Sequence, residues 1–388
     1  MPRLGYDAWG MSGALRHTGM GAYTATLLEA LPRVAPGIEV FAYGGPGEPR
    51  PDWLPEAVRW RSTSGSIHLK LAAIDSRLRE LPRLAAADRL DVFHATAVHV
   101  RPSMPPVPRL GCPVVATVHD VLPLTHYGRR LPVRLRAFYR WNLQRAITSA
   151  QVVTVSEHSR MEIARATRTP AARIAVIPNG VDFPPNPDPA VLGRLGVETP
   201  YLLFAGSYEP RKNLAGALEC YREVVASGHT HQLVAVVERQ SGHARDLHAL
   251  LHRLGLHDRV RLVSNISDTD LRALYTQADL VLFPSLAEGF GLPPVQAAAC
   301  GVPVIASDLP VLREVMADAA EYVDPRDPHA MAGVVLELLE NEHRRGELVT
   351  KGALRARLFN VDVCVRRHVE VYERLSVSTH QTAAVRLA

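Results

Sequence analysis

Residues 278–308 read ADLVLFPSLAEGFGLPPVQAAACGVPVIASD, and the fold is argued outward from them. Leu280–Phe283 is an unbroken apolar run, the pattern of a parallel strand covered on both faces. The loop SLAEGFG follows, then Leu292 and two prolines, which suit a helix's first turn because φ is preset and no N–H is needed. Gly301 is placed to cap that helix, and residues 302–306 begin another buried strand. Gly289, Phe290, Gly291 and Leu292 therefore lie where a strand hands over to a helix N-terminus. Backbone N–H groups and the helix dipole favour an anion there, and glycines let a ligand approach the backbone. Glu288 stands at the mouth of the loop. The stretch implies a site for a polar, negatively charged ligand.

The segment EGFGLPPVQAAACGVPVIASD resembles the signature of the family-4 retaining glycosyltransferases, whose fold is GT-B. In that family an acid, seven residues and a second acid bracket the loop. Glu288 is the first acid here, residues 289–295 are the seven, and Gln296 occupies the second acid's position. That departure bears on the contact with ribose. The resemblance implies an α/β protein with two Rossmann-like domains facing a cleft, and a C-terminal helix crossing back to the first domain. It spans most of residues 1–375 and is strongest over 201–340.

Bulk properties agree with a two-domain globular protein. The chain has 388 residues, 47% of them hydrophobic and 21% charged, and a net charge of +5. That charge permits an anionic substrate without demanding nucleic acid. Cys112, Cys220, Cys300 and Cys364 are far apart in sequence and form no zinc or disulfide pattern. No apolar run approaches the ~18–20 residues that span a bilayer, and no signal-peptide layout opens the chain. A cytoplasmic protein is expected. Lysine occurs only at 70, 212 and 351 among 44 basic residues, so each lysine kept is informative.

In chain order, residues 3–8 predict a strand, followed by a loop punctuated by Gly10, Gly13, Gly19 and Gly21 and a helix from about 21 to 31. The loop resembles the family's opening element, which implies that Gly19 and Gly21 approach the donor phosphate; a plain strand-to-helix turn is the other reading. Residues 41–89 hold elements that the pattern does not resolve. LDVFHAT (90–96) and PVVATVHD (113–120) each predict a buried strand. His119 ends the second of these, where ligands sit in open α/β sheets, and the resemblance has it contact the donor sugar. His94 and Asp91 read as structural. The stretch 129–146, with six arginines among Leu135, Phe138, Tyr139, Trp141 and Leu143, predicts a basic amphipathic helix. It fits a solvated helix covering a sheet, and it also fits peripheral contact with an anionic membrane. Ser156 is an N-cap candidate.

The proline-rich residues 183–200 read as a linker between domains 1–182 and 201–360, with 361–388 as the final helix and tail. Residues 201–205 predict a strand, and Arg211 and Lys212 fall before a helix capped by Asn213. ERQSG (238–242) stands where relatives usually carry a glycine-rich turn. Ile266 sits where relatives touch the base through backbone. Ser267-Asp268-Thr269-Asp270 contains Asp-x-Asp, a metal motif of a different fold, but the pattern begins a helix and reads as an N-cap with acids favoured by the dipole.

The resemblance implies the following roles. Arg211 and Lys212 hold the leaving diphosphate, and Glu288 holds donor-sugar hydroxyls. Backbone amides over Gly289, Phe290, Gly291 and Leu292 contact sugar and phosphate, Gln296 holds ribose, and His119 contacts the sugar. No metal or cofactor is called for: the donor is a nucleoside-diphosphate sugar and the acceptor a hydroxyl. Two other readings stay open, a non-catalytic nucleotide-sugar-binding module and a GT-B sugar-nucleotide epimerase.

Overall fold

The structure, a computed structural model, describes residues 2–63, 76–100, 106–127, 131–237 and 244–387. The chain divides into two compact units, Met1–Gly180 with Asn360–Ala388, and Val181–Phe359.

The first unit is built on a sheet of β1 (Arg3–Asp7), β2 (Glu39–Gly44), β3 (Arg59–Ser62), β4 (Val92–Ala95), β5 (Val114–Thr117), β6 (Gln151–Thr154) and β7 (Ile174–Val176). Its order is β3-β2-β1-β4-β5-β6-β7, and the pairings are parallel. Side chains alternate between two buried faces, as a pleated strand requires. Leu4, Tyr6, Val40 and Ala42 pack with the helix Gly19–Val34 and with Val361, Val365 and Tyr372 of the helix Val361–Leu387. Phe41, Tyr43 and Phe93 pack on the opposite face with Tyr139, Leu143 and Ile147 of the helix Val133–Ser149. Both faces being covered explains why the strands read as continuous apolar runs. The C-terminal helix thus belongs to the first unit, tied by Arg33 to Asp362 at 2.7 Å.

The second unit holds β8 (Tyr201–Ala205), β9 (Gln232–Val236), β10 (Val260–Val263), β11 (Leu280–Phe283), β12 (Val304–Ser307) and β13 (Glu321–Val323). They run in parallel in the order β10-β9-β8-β11-β12-β13, with Leu202 opposite Leu280 and Leu203 opposite Val281. Two parallel Rossmann-like sheets are what the sequence led us to expect. In each, the chain order reverses once, between β1 and β4 and between β8 and β11. Beyond the carboxyl ends of strands at such a switch point, the sheet leaves a crevice for a ligand.

Residues 183–200 correct the linker reading. They contain the helix Ala190–Leu195 and are fastened to the second unit. Asn186 N–H donates to Thr276 Oγ1 at 2.8 Å, and the Gln277 amide donates to the Asp188 carbonyl at 3.1 Å. Proline masks helical periodicity in sequence, whereas these bonds depend on residues some ninety positions away. The boundaries consequently fall at Gly180/Val181 and Phe359/Asn360.

Candidate functional site

At the second switch point, the loops after β8 and β11 come together. The first contains the short 3-10 turn Pro210–Lys212; Asn213 then takes a left-handed conformation and caps the helix Leu214–Ala226 by accepting from Gly216 N–H. The second runs from Ser285 to the helix Leu292–Ala299. A backbone hydrogen bond, Leu286 N–H to Arg211 C=O at 2.7 Å, joins them.

Three charged side chains meet there. Glu288 Oε1 accepts from Lys212 Nζ at 2.7 Å and from Arg211 Nη1 at 2.9 Å. Lys212 is 9% exposed and Glu288 8%. Lys212 Nζ also lies 5.0 Å from the centre of the Phe283 ring, close enough for a cation–π attraction. Burial works to raise the Glu288 pKa, but the Lys212 and Arg211 charges outweigh it and hold the carboxyl below its ordinary value. Glu209, a partner not foreseen from the sequence, accepts from Arg211 Nε at 2.8 Å; an acid two residues before Arg211 was the available signal. Two cations thus face two carboxylates.

Gly291 has φ +92°, which favours glycine, and a Cβ there would also press on Leu312 Cδ2 at 2.6 Å. Phe290 is buried edge-on to Phe359, which leaves its backbone as the part that can meet a ligand. Pro293 and Pro294 remove two N–H groups from this helix start, so its contribution to an anion rests on few donors. Gln296 is half-buried one turn into the helix, and Ile266 is half-buried just before the helix Asp268–Thr276. Ser267 and Asp270 form a reciprocal capping box at that helix, the capping role read from sequence. ERQSG lies outside the described residues.

In the first unit, His119 follows β5, is half-buried, and donates through Nε2 to the Thr96 carbonyl at 3.0 Å. Burial pushes its pKa down to about 4. With a carbonyl as partner, Nε2 carries the hydrogen and Nδ1 keeps the lone pair. His94 is fully buried in β4, as expected of a structural residue.

Gly21 needs correcting. It lies within the helix Gly19–Val34, its N–H is taken by the N-cap Thr18 at 3.1 Å, and a Cβ would fall 1.8 Å from the Leu15 carbonyl oxygen. Packing of the helix against the turn Ala14–His17 accounts for this glycine, and its N–H is not offered to a phosphate. A Cβ on Gly19 would meet nothing within 4 Å, so that position keeps room for a ligand. The helix Val133–Ser149 buries Tyr139, Leu143, Ala146 and Ile147 and leaves Val133 and Trp141 70% and 47% exposed; residues 129 and 130 lie outside the described residues.

Residues 17–183 match the family described as Glycosyltransferase Family 4, and residues 194–355 match Glycosyl transferases group 1. The chain is a glycosyltransferase of the GT-B fold. The transferase is 29% identical over 374 residues to the O-antigen chain mannosyltransferase B of Escherichia coli, covering 92% of this chain and 96% of that one. It is 35% identical over 247 residues to a D-inositol 3-phosphate glycosyltransferase of Xylanimonas cellulosilytica, 58% and 57% of the two chains. Among solved structures, the transferase overlays sucrose-phosphate synthase from Thermosynechococcus elongatus with a TM-score of 0.79 at 20% identity, covering 97% and 100% of the chains. It overlays Anabaena HepE in complex with UDP and glucose with a TM-score of 0.74 at 18% identity, with the same coverage. No described helix of the transferase is long and apolar enough to cross a membrane.

Proposed function

We propose that the enzyme moves a hexose-type sugar from a nucleoside-diphosphate sugar to an acceptor hydroxyl, with retention at the anomeric carbon and without a metal ion. The observation that carries this reading is the Arg211–Lys212–Glu288 cluster at the carboxyl ends of β8 and β11. In the reaction, the bond from the anomeric carbon to the β-phosphate oxygen breaks. The acceptor oxygen bonds to that carbon, and its proton passes to the departing phosphate. Negative charge grows on the diphosphate, and fixed cations such as Arg211 and Lys212 stabilise it without reorganising. Arginine can bind two phosphate oxygens, whereas lysine acts as a point charge.

Glu288 is assigned to the donor-sugar hydroxyls, with the backbone of Gly289, Phe290, Gly291 and Leu292 on sugar and phosphate. Gln296 holds ribose, Ile266 meets the base through its backbone, and Gly19 borders the phosphate. His119, neutral and with Nδ1 as an acceptor, fits a sugar hydroxyl. The Glu288 carboxylate is bound by two cations, which makes it a poor nucleophile; that favours displacement from the leaving-group face over a covalent intermediate. Because the Escherichia coli relative is named as a mannosyltransferase, GDP-mannose is the first donor to try.

A peripheral contact with anionic lipid through the helix Val133–Ser149 is the second part of the proposal. The helix carries Arg134, Arg136, Arg140 and Arg145 and no acid, and it exposes Trp141. Sedimentation with phosphatidylglycerol vesicles tests it, and Trp141→Ser should weaken binding.

A thermal-shift panel of nucleotide sugars tests the main reading, since a true donor stabilises the folded state by mass action. Product stereochemistry by NMR then follows. A donor that binds and is never turned over, even by slow hydrolysis, would make the protein a binding module. Epimerised free nucleotide sugar would make it an epimerase.

A further inference from the structure

Beneath the strand ends of the first unit lies a buried polar cluster that the proposed chemistry does not use. It consists of Tyr6 on β1, Tyr23 on the helix Gly19–Val34, His94 on β4, Thr117 on β5, and His368 and Tyr372 on the helix Val361–Leu387. None of the six is more than 5% exposed. Their hydrogen bonds form one continuous line, and a single backbone group sets its direction.

That group is the Cys364 carbonyl, 2.8 Å from His368 Nδ1. A carbonyl can only accept, so Nδ1 carries the hydrogen and Nε2 the lone pair. Tyr23 must therefore donate to His368 Nε2, at 2.8 Å. Its oxygen then accepts from Thr117 at 2.9 Å, and Thr117 accepts from His94 Nε2 at 2.7 Å. His94 Nδ1 accepts from Tyr372 at 2.8 Å, and Tyr372 accepts from Tyr6 at 2.5 Å. Every member has one donor and uses it. Both imidazoles are neutral in this line, in keeping with burial, which pushes the His368 pKa down to about 4 and that of His94 well below its ordinary value.

Through Tyr23 the line also touches His119. Tyr23 stands edge-on to the His119 ring, with centroids 4.9 Å apart and planes at 90°. Two partners on the phenol oxygen hold the far end of the Tyr23 ring in place, and with it the ring that packs against the imidazole. We infer that His368 and Tyr23 are positioning residues for His119: His368 on the C-terminal helix clamps Tyr23, and Tyr23 keeps the His119 ring where its Nε2 meets the Thr96 carbonyl, the bond that sets its tautomer. The effect on rate rests on the reading of His119 as a donor-sugar contact; the effect on the imidazole does not.

The test uses the full chain with His368→Leu, Tyr23→Phe and His368→Gln. The leucine removes the acceptor for Tyr23, the phenylalanine removes only a hydroxyl and carries the test if His368→Leu does not fold, and the glutamine restores an acceptor and a donor. Imidazole ¹⁵N shifts of His119 report its tautomer directly. We expect well-separated shifts in the wild type, shifts drawn together by averaging in the leucine and phenylalanine variants, and recovery in the glutamine variant. Turnover of GDP-mannose or UDP-glucose, whichever the wild type uses, should fall in kcat by roughly tenfold, the scale of a misplaced contact. Affinity for the free nucleoside diphosphate, which has no sugar for His119 to meet, should stay within twofold. Unchanged His119 shifts in folded variants would overturn the inference whatever the activity. Altered shifts with unaltered kcat would keep the positioning and overturn the role of His119 on the sugar.

Discussion

Lys212 Nζ lies 2.7 Å from Glu288 Oε1, although the two residues are 76 positions apart and follow different strands. The loops after β8 and β11 are adjacent only because the strand order reverses between them. The pairing means that the cationic site is already occupied by the protein's own carboxylate. On the proposed reading, a diphosphate entering it must share Lys212 and Arg211 with Glu288 or displace it.

Replacing Lys212 by alanine should lower kcat/KM by about two orders of magnitude or more, the scale for one preorganised electrostatic group. Because Lys212 is a buried partner of Glu288, the variant should also lose stability, on the order of 1–3 kcal/mol. Arg211 remains to hold Glu288, so the fold should persist by circular dichroism. Steady-state kinetics with near-normal turnover would show that the clamp lies elsewhere.

Glu288→Gln separates two ligands. The sugar loses a charge-assisted partner, and turnover of the donor should fall by about a hundredfold or more. A free nucleoside diphosphate, no longer competing with the carboxylate for Lys212 and Arg211, should bind several-fold more tightly in calorimetry. A loss of affinity for both ligands would mean that Glu288 organises the two cations and does not compete for them.

How far the sequence reached is visible at these same residues. The run Leu280–Phe283 was readable as a strand because both faces of its sheet are covered, which removes polar alternation. The caps Ser156, Asn213 and Ser267 were readable because capping needs only residues a turn apart. The pairing of Lys212 with Glu288 was not, since it depends on strand order and not on spacing. Nor was the bond from Tyr23 to His368, 345 positions apart. Residues 41–89 resisted for a related reason: β3 is a short edge strand of charged and partly exposed residues, with no continuous apolar run to mark it.

Acid should destabilise the first unit earlier than carboxylate titration alone would. His94 and His368 are fully buried and have pKa values lowered from 6.5, that of His368 to about 4. As pH falls below 6.5, the unfolded chain takes up these protons and the folded chain does not, so stability falls. His119, also lowered to about 4, adds a third proton; at about 1.4 kcal/mol per pH unit each, the three give a slope approaching about 4 kcal/mol per unit within the window that closes near pH 4 for His119 and His368. Urea unfolding at pH 7.5, 6.0 and 5.0 measures it. In His368→Leu the slope should drop by about one proton; an unchanged slope would place that titration elsewhere.

Metal independence makes a simple test. With cations at the leaving group, and Asp270 of Asp268-Thr269-Asp270 engaged in a capping box, EDTA should leave activity intact. Loss of activity that magnesium or manganese restores would return that motif to the chemistry.

Gln296 is the residue that departs from the family pattern, and its replacement by glutamate tests the ribose assignment. A ribose diol offers two O–H donors, and a carboxylate can accept both with charge-assisted bonds. An amide has one acceptor oxygen, and its NH₂ must find a ribose oxygen instead. Bonds to ionised groups are roughly twice as strong as neutral ones, a difference of about 1 kcal/mol here. Against this, the substitution adds negative charge near a bound diphosphate. Arg211 and Lys212 offset much of that repulsion, so the hydrogen-bond gain should win. The donor KM should fall roughly 3–10-fold, the equivalent of about 1 kcal/mol. Ribose does not change during transfer, so the gain is equal in ground and transition states and kcat should barely move. A weaker donor complex, or a kcat lower by about tenfold, would mean that the amide is matched to some other group of the ligand and that glutamine holds this position for its own chemistry.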